Sequence, residues 1–108
     1  MTMWRLLLDT SGIIVTLQDA FVSASFLYMK KGTLDANNKD VTFTYVDTSY
    51  TNTRTILMGS GTWTLTGSGT VWDAAIATNL TITPSTSTIK ITDASANTKL
   101  FAGGGQIF

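Results

Sequence analysis

The chain has 108 residues, which is enough for one domain with a modest core. Seven Lys and Arg residues balance seven acidic residues, all of them Asp, so the sequence carries no basic footprint for nucleic acid or for an anionic membrane. Because Cys and His are both absent, disulfides, a Ser-His-Asp triad and the usual zinc sites are excluded, and we predict no metal and no cofactor.

The N-terminal residues, MTMWRLLL, do not form a secretory signal, because the apolar run from Leu6 to Leu8 ends at Asp9 and no cleavage site follows. No run approaches the roughly 18 apolar residues that a membrane span requires. We therefore predict no signal peptide and no transmembrane segment, and we name a virion or a cell surface as the candidate locations. Residues 1–20 are expected to form an N-terminal capping segment, in which Trp4, Leu6 and Leu8 cover the core.

Short runs that alternate apolar residues with Thr recur along the chain, and this pattern is typical of β-strands. Clusters of Gly, Ser, Asn and Asp separate the runs and predict turns. A helical turn is plausible at residues 73–77 alone, and a loop is an equal alternative there. The predicted strands cover residues 13–17, 21–29, 41–46, 54–58, 62–66, 70–72, 80–83, 88–92 and 99–102.

The segment RTILMGSGTWTLT, which begins at Arg54, recurs imperfectly as LTITPSTSTIKIT, which begins at Leu80. This first spacing matches Ile56 to Ile82. A second, longer spacing matches Gly32 to Gly61. We interpret the chain as one all-β domain, residues 1–108, in which residues 21–108 form about three imperfect repeats.

The alternation assigns the apolar residues of each repeat to the interior. If the repeats stack in register, two internal columns follow from the two spacings. The first column contains Leu34, Trp63 and Ile89, and the second contains Leu27, Ile56 and Ile82.

A recurring strand-turn-strand unit favours a short parallel β-solenoid, that is, a right-handed β-helix, because each coil of a solenoid repeats the same bends. The alternative is an antiparallel β-sandwich or jelly roll. It is favoured by the duplicated Gly-Ser-Gly-Thr at Gly59 and Gly67, which is also typical of a hairpin. In that case residues 62–66 would pair antiparallel with residues 70–72.

From Gly32 onward the chain reads GTLDANNKDVTF, NTRTILMGSGTWTLTGSGTVWD, NLTITPSTSTIKITD and KLFAGGG. These blocks resemble the Thr- and Gly-rich β-solenoid repeats of phage-tail and environmental surface proteins. The resemblance implies a non-enzymatic fibre, shaft or adhesin-like element. Because a solenoid has exposed strand edges at its ends, we expect homo-oligomers that form through those ends or edges.

Aspartates are the remaining candidates for catalysis, since paired carboxylates alone can cleave glycosidic bonds. The candidates are Asp35, Asp73 and Asp93. Asp35 lies in a predicted turn and Asp93 follows a predicted strand, where a carboxylate commonly binds nearby backbone groups. The sequence therefore favours a non-enzymatic protein and leaves a carbohydrate-active module as the alternative.

Aromatic residues beside predicted loops are the candidates for ligand binding, because an aromatic ring can stack on a sugar ring. Trp72, Tyr45 and Tyr50 are such residues, with packing roles as the alternative. The predicted partners are therefore a second copy of the chain and a glycan.

Overall fold

The computed structural model describes residues 2–3 and 5–108. The regular structure of this part of the chain is entirely β, and it includes no helix long and apolar enough to cross a membrane. Trp4, predicted to cap the core, lies outside the described residues. The strands are β1 Thr2–Met3, β2 Leu6–Thr16, β3 Phe21–Ser23, β4 Phe26–Asp35, β5 Val41–Phe43, β6 Tyr45–Asp47, β7 Arg54–Leu57, β8 Thr62–Leu65, β9 Gly69–Asp73, β10 Leu80–Thr83, β11 Thr88–Ile91 and β12 Lys99–Ala102.

The described strands pair in parallel and stack in coils around one core. Face 1 contains β1, β3, β5, β8 and β11 in that order. The second sheet bends into two faces because β2 and β4 continue around a corner. The first part of β4 pairs with β6 and its second part pairs with β7. Face 2 therefore continues from β6 to β9 and β12, and face 3 continues from β7 to β10.

This arrangement is an all-β parallel solenoid of about four coils, which confirms the predicted fold class. The antiparallel alternative is wrong, because β8 pairs in parallel with β5 and β11, whereas β9 pairs with β6 and β12. The residues between β8 and β9, Thr66–Ser68, turn a corner from face 1 to face 2. Residues 74–77 form a loop and not a helical turn.

The first predicted spacing is confirmed by the pairing. Ile56 lies opposite Ile82 across face 3, and Trp63 lies opposite Ile89 across face 1. Inward positions in one coil therefore cover the same positions in the next coil. This contact between identical inner positions explains why the apolar pattern recurs.

The second spacing, which matched Gly32 to Gly61, is wrong, and so are the columns that depend on it. Leu34 lies opposite Ile56, so the column on face 3 is Leu34, Ile56 and Ile82. Leu27 belongs to face 2, where it lies opposite Val46. The cause is that the earlier coils have shorter corners than the later ones, so one fixed spacing does not describe all of them.

A line of aromatic rings runs through the core to the last coil: Phe21, Phe43, Trp63 and Trp72 are buried, and Phe101 is 38% exposed. The centroids of successive rings are 5.7, 6.2, 5.9 and 5.2 Å apart. The Trp63 indole N–H donates to the Met58 carbonyl oxygen at 3.2 Å. The Trp72 indole nitrogen is also buried, but it has no hydrogen-bond partner among residues 2–3 and 5–108.

Residues 6–16 of the predicted capping segment form β2, which pairs in parallel with β4. Leu8 is 2% exposed, and Leu6 packs against the buried core. This part of the segment therefore supplies faces 2 and 3 of a coil that lies against the coil of β4.

Candidate functional site

Corners of unequal length produce a recess between faces 2 and 3. In the coil of β4 this corner consists of residues 29–31, whereas residues 48–53 form the corner of the next coil. On the other side, the coil of β2 has residues 10–13 as an insertion in its pairing with β4. The short corner is therefore flanked by two longer loops.

Two adjoining cavities occupy this recess. The first, here called the aromatic cleft, has a volume of about 280 Å³ and is lined by Arg5, Leu7, Tyr28, Lys30 and Tyr50. The second, here called the polar groove, has a volume of about 420 Å³ and is lined by Ser11, Lys31, Thr51, Asn52, Thr53 and Asn79. Lys30 and Tyr50 line the cleft, and the residues that follow them in sequence, Lys31 and Thr51, line the groove. The two cavities therefore follow one another along the corner.

An aromatic surface adjoins the cleft on the outer side of face 2. Leu27 and Met29 are fully buried, so the alternation of β4 places Phe26 and Tyr28 on the outside. Their rings stack with centroids 4.8 Å apart and an interplanar angle of 4°. Tyr45 on the neighbouring strand brings its ring to 4.7 Å from that of Phe26. These three rings, Phe26, Tyr28 and Tyr45, are called the aromatic surface below.

The next coil has a glycine beside this surface. A Cβ atom at Gly67 would lie 2.6 Å from Tyr45 Cε1 and 2.8 Å from the Thr44 carbonyl oxygen. Both distances are shorter than van der Waals contact allows. The absence of a side chain at Gly67 therefore leaves the space that the Tyr45 ring occupies.

Two cations lie over the tyrosine rings of the cleft. The Arg5 guanidinium carbon is 5.9 Å from the centroid of Tyr28, and Lys30 Nζ is 5.3 Å from that of Tyr50. Such contacts are attractive because the ring face is the negative end of the aromatic quadrupole. In the described part of the chain, neither cation makes an ion pair within 4.0 Å.

The Tyr50 hydroxyl has a perturbed acidity. Its pKa is raised, first by burial and then by the charges of Asp47 and Asp9 and by Tyr28. The phenol therefore keeps its O–H donor to a higher pH than an ordinary tyrosine does.

The loop that carries Tyr50 is fixed by the fully buried side chain of Arg54. Arg54 Nε donates to the Asn52 carbonyl oxygen at 2.7 Å, and Nη1 donates to Thr48 Oγ1 at 3.0 Å and to the Thr48 carbonyl. Nη2 donates to the Ile76 carbonyl oxygen at 3.3 Å and to the Thr78 carbonyl. The guanidinium thus joins residues 48–53 to the equivalent loop of the next coil.

The charge of Arg54 is balanced by carbonyl dipoles, since no carboxylate of the described residues lies within 4.0 Å of it. Burial lowers the pKa of its guanidinium from the usual value. Five hydrogen bonds nevertheless satisfy its five N–H groups. Arg54 is therefore a positioning residue for the wall of the recess.

The structure divides the predicted ligand-binding residues. Tyr50 lines the cleft, and Tyr45 belongs to the aromatic surface. The prediction for Trp72 is wrong, because its side chain is 0% exposed and belongs to the core. The doubly buried pair Val71 and Trp72, beside a register shift, explains the error, since strict alternation would have placed one of them outside.

The cleft also contains residues that the sequence reasoning missed: Arg5, Leu7, Tyr28 and Lys30. The signal for Tyr28 was present in the alternation, which places it outward between Leu27 and Met29. Arg5 and Lys30 carry no such signal, because their proximity depends on the pairing of β2 with β4.

The predicted catalytic aspartates are not brought together. Asp35 lies at the end of face 3, Asp73 at the end of β9 on face 2, and Asp93 just after β11 on face 1. Each carboxylate accepts a local hydrogen bond. Asp35 accepts from the Asn37 N–H at 2.8 Å, Asp73 from the Ala75 N–H at 3.2 Å, and Asp93 from the Ser95 hydroxyl.

The acidity of Asp93 also opposes a role as general acid. Its pKa is lowered, mainly by hydrogen bonds from Ser95 and Lys99, and Lys99 Nζ lies 3.0 Å from its Oδ2. A general acid needs a pKa near the working pH, which requires a raised carboxyl pKa. Asp93 is instead a fixed carboxylate that stabilises the loop before β12.

One pair of aspartates does become adjacent, because Asp47 lies opposite Asp73 in neighbouring coils of face 2. Asp47 Oδ1 accepts from the Ser49 N–H at 2.9 Å, so both carboxylates are engaged by their own loops. Neither lines the cleft or the groove.

The described residues contain no group of three or more acidic, His or Cys side chains that could hold a metal ion. No family model, no curated protein and no solved structure matches this chain. Because a β-solenoid fold specifies no activity by itself, the cleft and the aromatic surface are the basis for a functional proposal.

Proposed function

We propose that this protein is a non-enzymatic, surface-binding β-solenoid that binds a glycan through the aromatic surface and the aromatic cleft. The observation that carries the proposal is the contiguous set of outward rings, with Phe26 within 4.8 Å of both Tyr28 and Tyr45. Tyr50 extends this set into the cleft.

The chemistry of a sugar suits this arrangement. One face of a pyranose is lined by C–H groups and stacks on an aromatic ring, while its hydroxyls need hydrogen-bond partners. The polar groove beside the rings supplies hydroxyl and amide groups from Ser11, Thr51, Thr53, Asn52 and Asn79. A glycan that follows the corner would contact rings first and polar groups next.

The rigidity of the recess supports binding further. Tyr50 lies in a loop that is fixed by hydrogen bonds from the buried Arg54 side chain to Thr48 and Asn52. Asn79 Nδ2 also donates to the Thr51 carbonyl oxygen of this loop at 3.0 Å. A loop that is ordered before binding loses little conformational freedom when a ligand arrives. The rings of the aromatic surface are also ordered before binding, because their backbones belong to the paired strands β4 and β6.

Binding without cleavage is the favoured form of the proposal. The cleft and the groove have no aspartate among their lining residues, and glycoside cleavage requires two carboxylates that flank the bond. Together with the repeat text that resembles fibre and adhesin proteins, this favours an element that holds a glycan-bearing surface.

A glycan array followed by calorimetric titration tests the proposal. We expect the protein to bind at least one class of glycan without hydrolysing it. Tyr28→Ala should weaken binding at least tenfold, because it removes the ring shared by the surface and the cleft. The control is Val22→Ala, which truncates a 41% exposed side chain on face 1. An array with no bound glycan would reject the proposal, and hydrolysis would replace it with an enzymatic function.

A further inference from the structure

The charges around the recess are segregated, although the chain as a whole is neutral. Arg5, Lys30 and Lys31 line the cleft and the groove, and they are three of the seven basic residues of the chain. None of the seven aspartates lines either cavity. A ligand in the recess therefore contacts basic side chains, whereas the aspartates lie outside the set of residues that line it.

The aspartates nearest the cleft already have partners. Asp9 Oδ1 lies 4.0 Å from Lys31 Nζ, and Asp47 accepts hydrogen bonds from the N–H and the hydroxyl of Ser49. Both act on Tyr50 through their charge, since they contribute to its raised pKa. Arg5 and Lys30 remain without a counter-ion within 4.0 Å among the described residues.

The two cations lie over the tyrosine rings that a sugar in the cleft would contact. Arg5 lies over Tyr28 and Lys30 over Tyr50, at 5.9 and 5.3 Å from the ring centroids. A guanidinium binds a planar anion through paired N–H donors, and an ammonium binds it as a compact charge. A sugar on either ring would thus bring its substituents within reach of a cation.

From these placements we infer that the aromatic cleft selects acidic glycans: Arg5 and Lys30 bind the carboxylate or sulfate of a sugar that packs beside Tyr28 or Tyr50. The inference rests on the proposed glycan-binding function and names its ligand class. It also assigns a binding role to Lys30.

Matched pairs of polymers separate charge from sugar shape. Polygalacturonate is compared with its highly methyl-esterified form, and dextran sulfate with dextran, by calorimetric titration of the full chain. We expect each acidic polymer to bind at least tenfold more tightly than its neutral partner. The difference should shrink as salt is raised, because exposed charges are screened. The pair with the larger ratio of acidic to neutral affinity identifies the preferred anion as carboxylate or sulfate.

The double variant Arg5→Gln and Lys30→Gln tests the two cations directly. It should lose the preference for acidic polymers and keep the weaker binding of neutral ones, because the tyrosine rings remain. Lys90→Gln is the control, since Lys90 is an exposed cation on face 1. Circular dichroism of each variant establishes that the fold is retained.

Three results would overturn the inference, and they differ in what they mean for the proposed function. Equal affinity for acidic and neutral polymers overturns acidic selectivity and leaves glycan binding standing. An acidic preference that survives the double variant places the anion elsewhere on the molecule. If no glycan binds at all, the proposed function fails together with the inference.

Discussion

The guanidinium of Arg54 and the hydroxyl of Thr48 lie 3.0 Å apart inside the corner between faces 2 and 3. The same hydroxyl donates to the Met29 carbonyl oxygen of the preceding coil at 3.3 Å. Since Arg54 also reaches Ile76 and Thr78, this one network joins three successive coils. Side-chain hydrogen bonds therefore supplement the strand pairing at a corner where β4 is followed by the loops of the next two coils.

Replacing Arg54 with Met should lower the free energy of unfolding by about 3 kcal/mol or more, because buried carbonyl groups would lose their donors. Arg54→Lys should also destabilise, since an ammonium has three donors for five acceptor contacts. Urea unfolding followed by circular dichroism measures both effects. Lys90→Met, a change at an exposed cation, is the control and should alter stability by less than about 0.5 kcal/mol. A loss below about 1 kcal/mol for Arg54→Met would contradict this role.

The inward column of face 3 gives a second prediction. Ile56 is 0% exposed and lies between Leu34 and Ile82, so Ile56→Ala should cost about 2 to 5 kcal/mol through lost contacts and a cavity. The adjacent outward residue provides the control, since Leu57 is only partly buried. Leu57→Ala should cost roughly 1 kcal/mol. Equal losses in chemical denaturation would mean that the assigned inner and outer sides are wrong.

The later half of this column could be predicted from the sequence, and the earlier half could not. Ile56 and Ile82 lie on coils that the repeat aligns directly, so a single spacing relates them. The coil that leads from Leu34 to Ile56 is shorter, since Thr44 alone separates β5 from β6 there, whereas residues 66–68 separate β8 from β9. Corner length leaves no periodic signal, because corner residues do not belong to the repeated core positions. The same reason hid the recess, which exists because neighbouring corners differ in length.

The binding residues show a similar division. Tyr45, Tyr50 and Trp72 were all predicted as aromatic residues beside loops. Trp72 is nevertheless buried, because a register shift in β9 places both Val71 and Trp72 in the core. The contact of Arg5 with Tyr28 depends on the pairing of β2 with β4. The predicted repeats begin at residue 21, so they do not include Arg5.

Gly67 links packing to the proposed binding function. Gly67→Ala should displace the Tyr45 ring, because the new methyl group would meet Tyr45 Cε1 at 2.6 Å and the Thr44 carbonyl oxygen at 2.8 Å. We expect weaker glycan binding together with a loss of about 2 kcal/mol in stability. Gly69→Ala is the matched control: no neighbour lies within 4 Å of its added Cβ, and its positive φ of 75° accounts for backbone strain alone. Similar glycan affinities for the two variants would show that Tyr45 does not contribute.

Tyr50 should give the protein a distinctive alkaline titration. Its folded pKa lies above the usual value of about 10, so the folded state holds this proton more tightly than the unfolded state does. The resulting stability is fully present below about pH 10 and is lost as the pH rises through the folded pKa. Tyr50→Phe cannot ionise, so its stability should fall less over that interval.

Ultraviolet titration of tyrosinate measures the same effect without unfolding the protein. A tyrosinate transition that lies above the usual range should disappear in Tyr50→Phe. Asp47→Asn should lower the pKa of Tyr50 only in part, because burial is the larger cause of its rise. If the last transition persists in Tyr50→Phe, the perturbed group is a different tyrosine.

The end of the solenoid formed by β11 and β12 leads to a prediction of self-association. Ile91 and Phe101 lie opposite buried core residues, Leu65 and Trp72, yet they are 41% and 38% exposed. Apolar side chains beside an unpaired strand edge favour pairing with another chain, and a second copy presents the same edge. We expect sedimentation equilibrium to show a concentration-dependent dimer. Ile91→Lys should shift it towards monomer, because a charge at an edge opposes pairing, whereas Ile76→Lys in the exposed loop after β9 should not. A monomer at all concentrations would contradict association through this end.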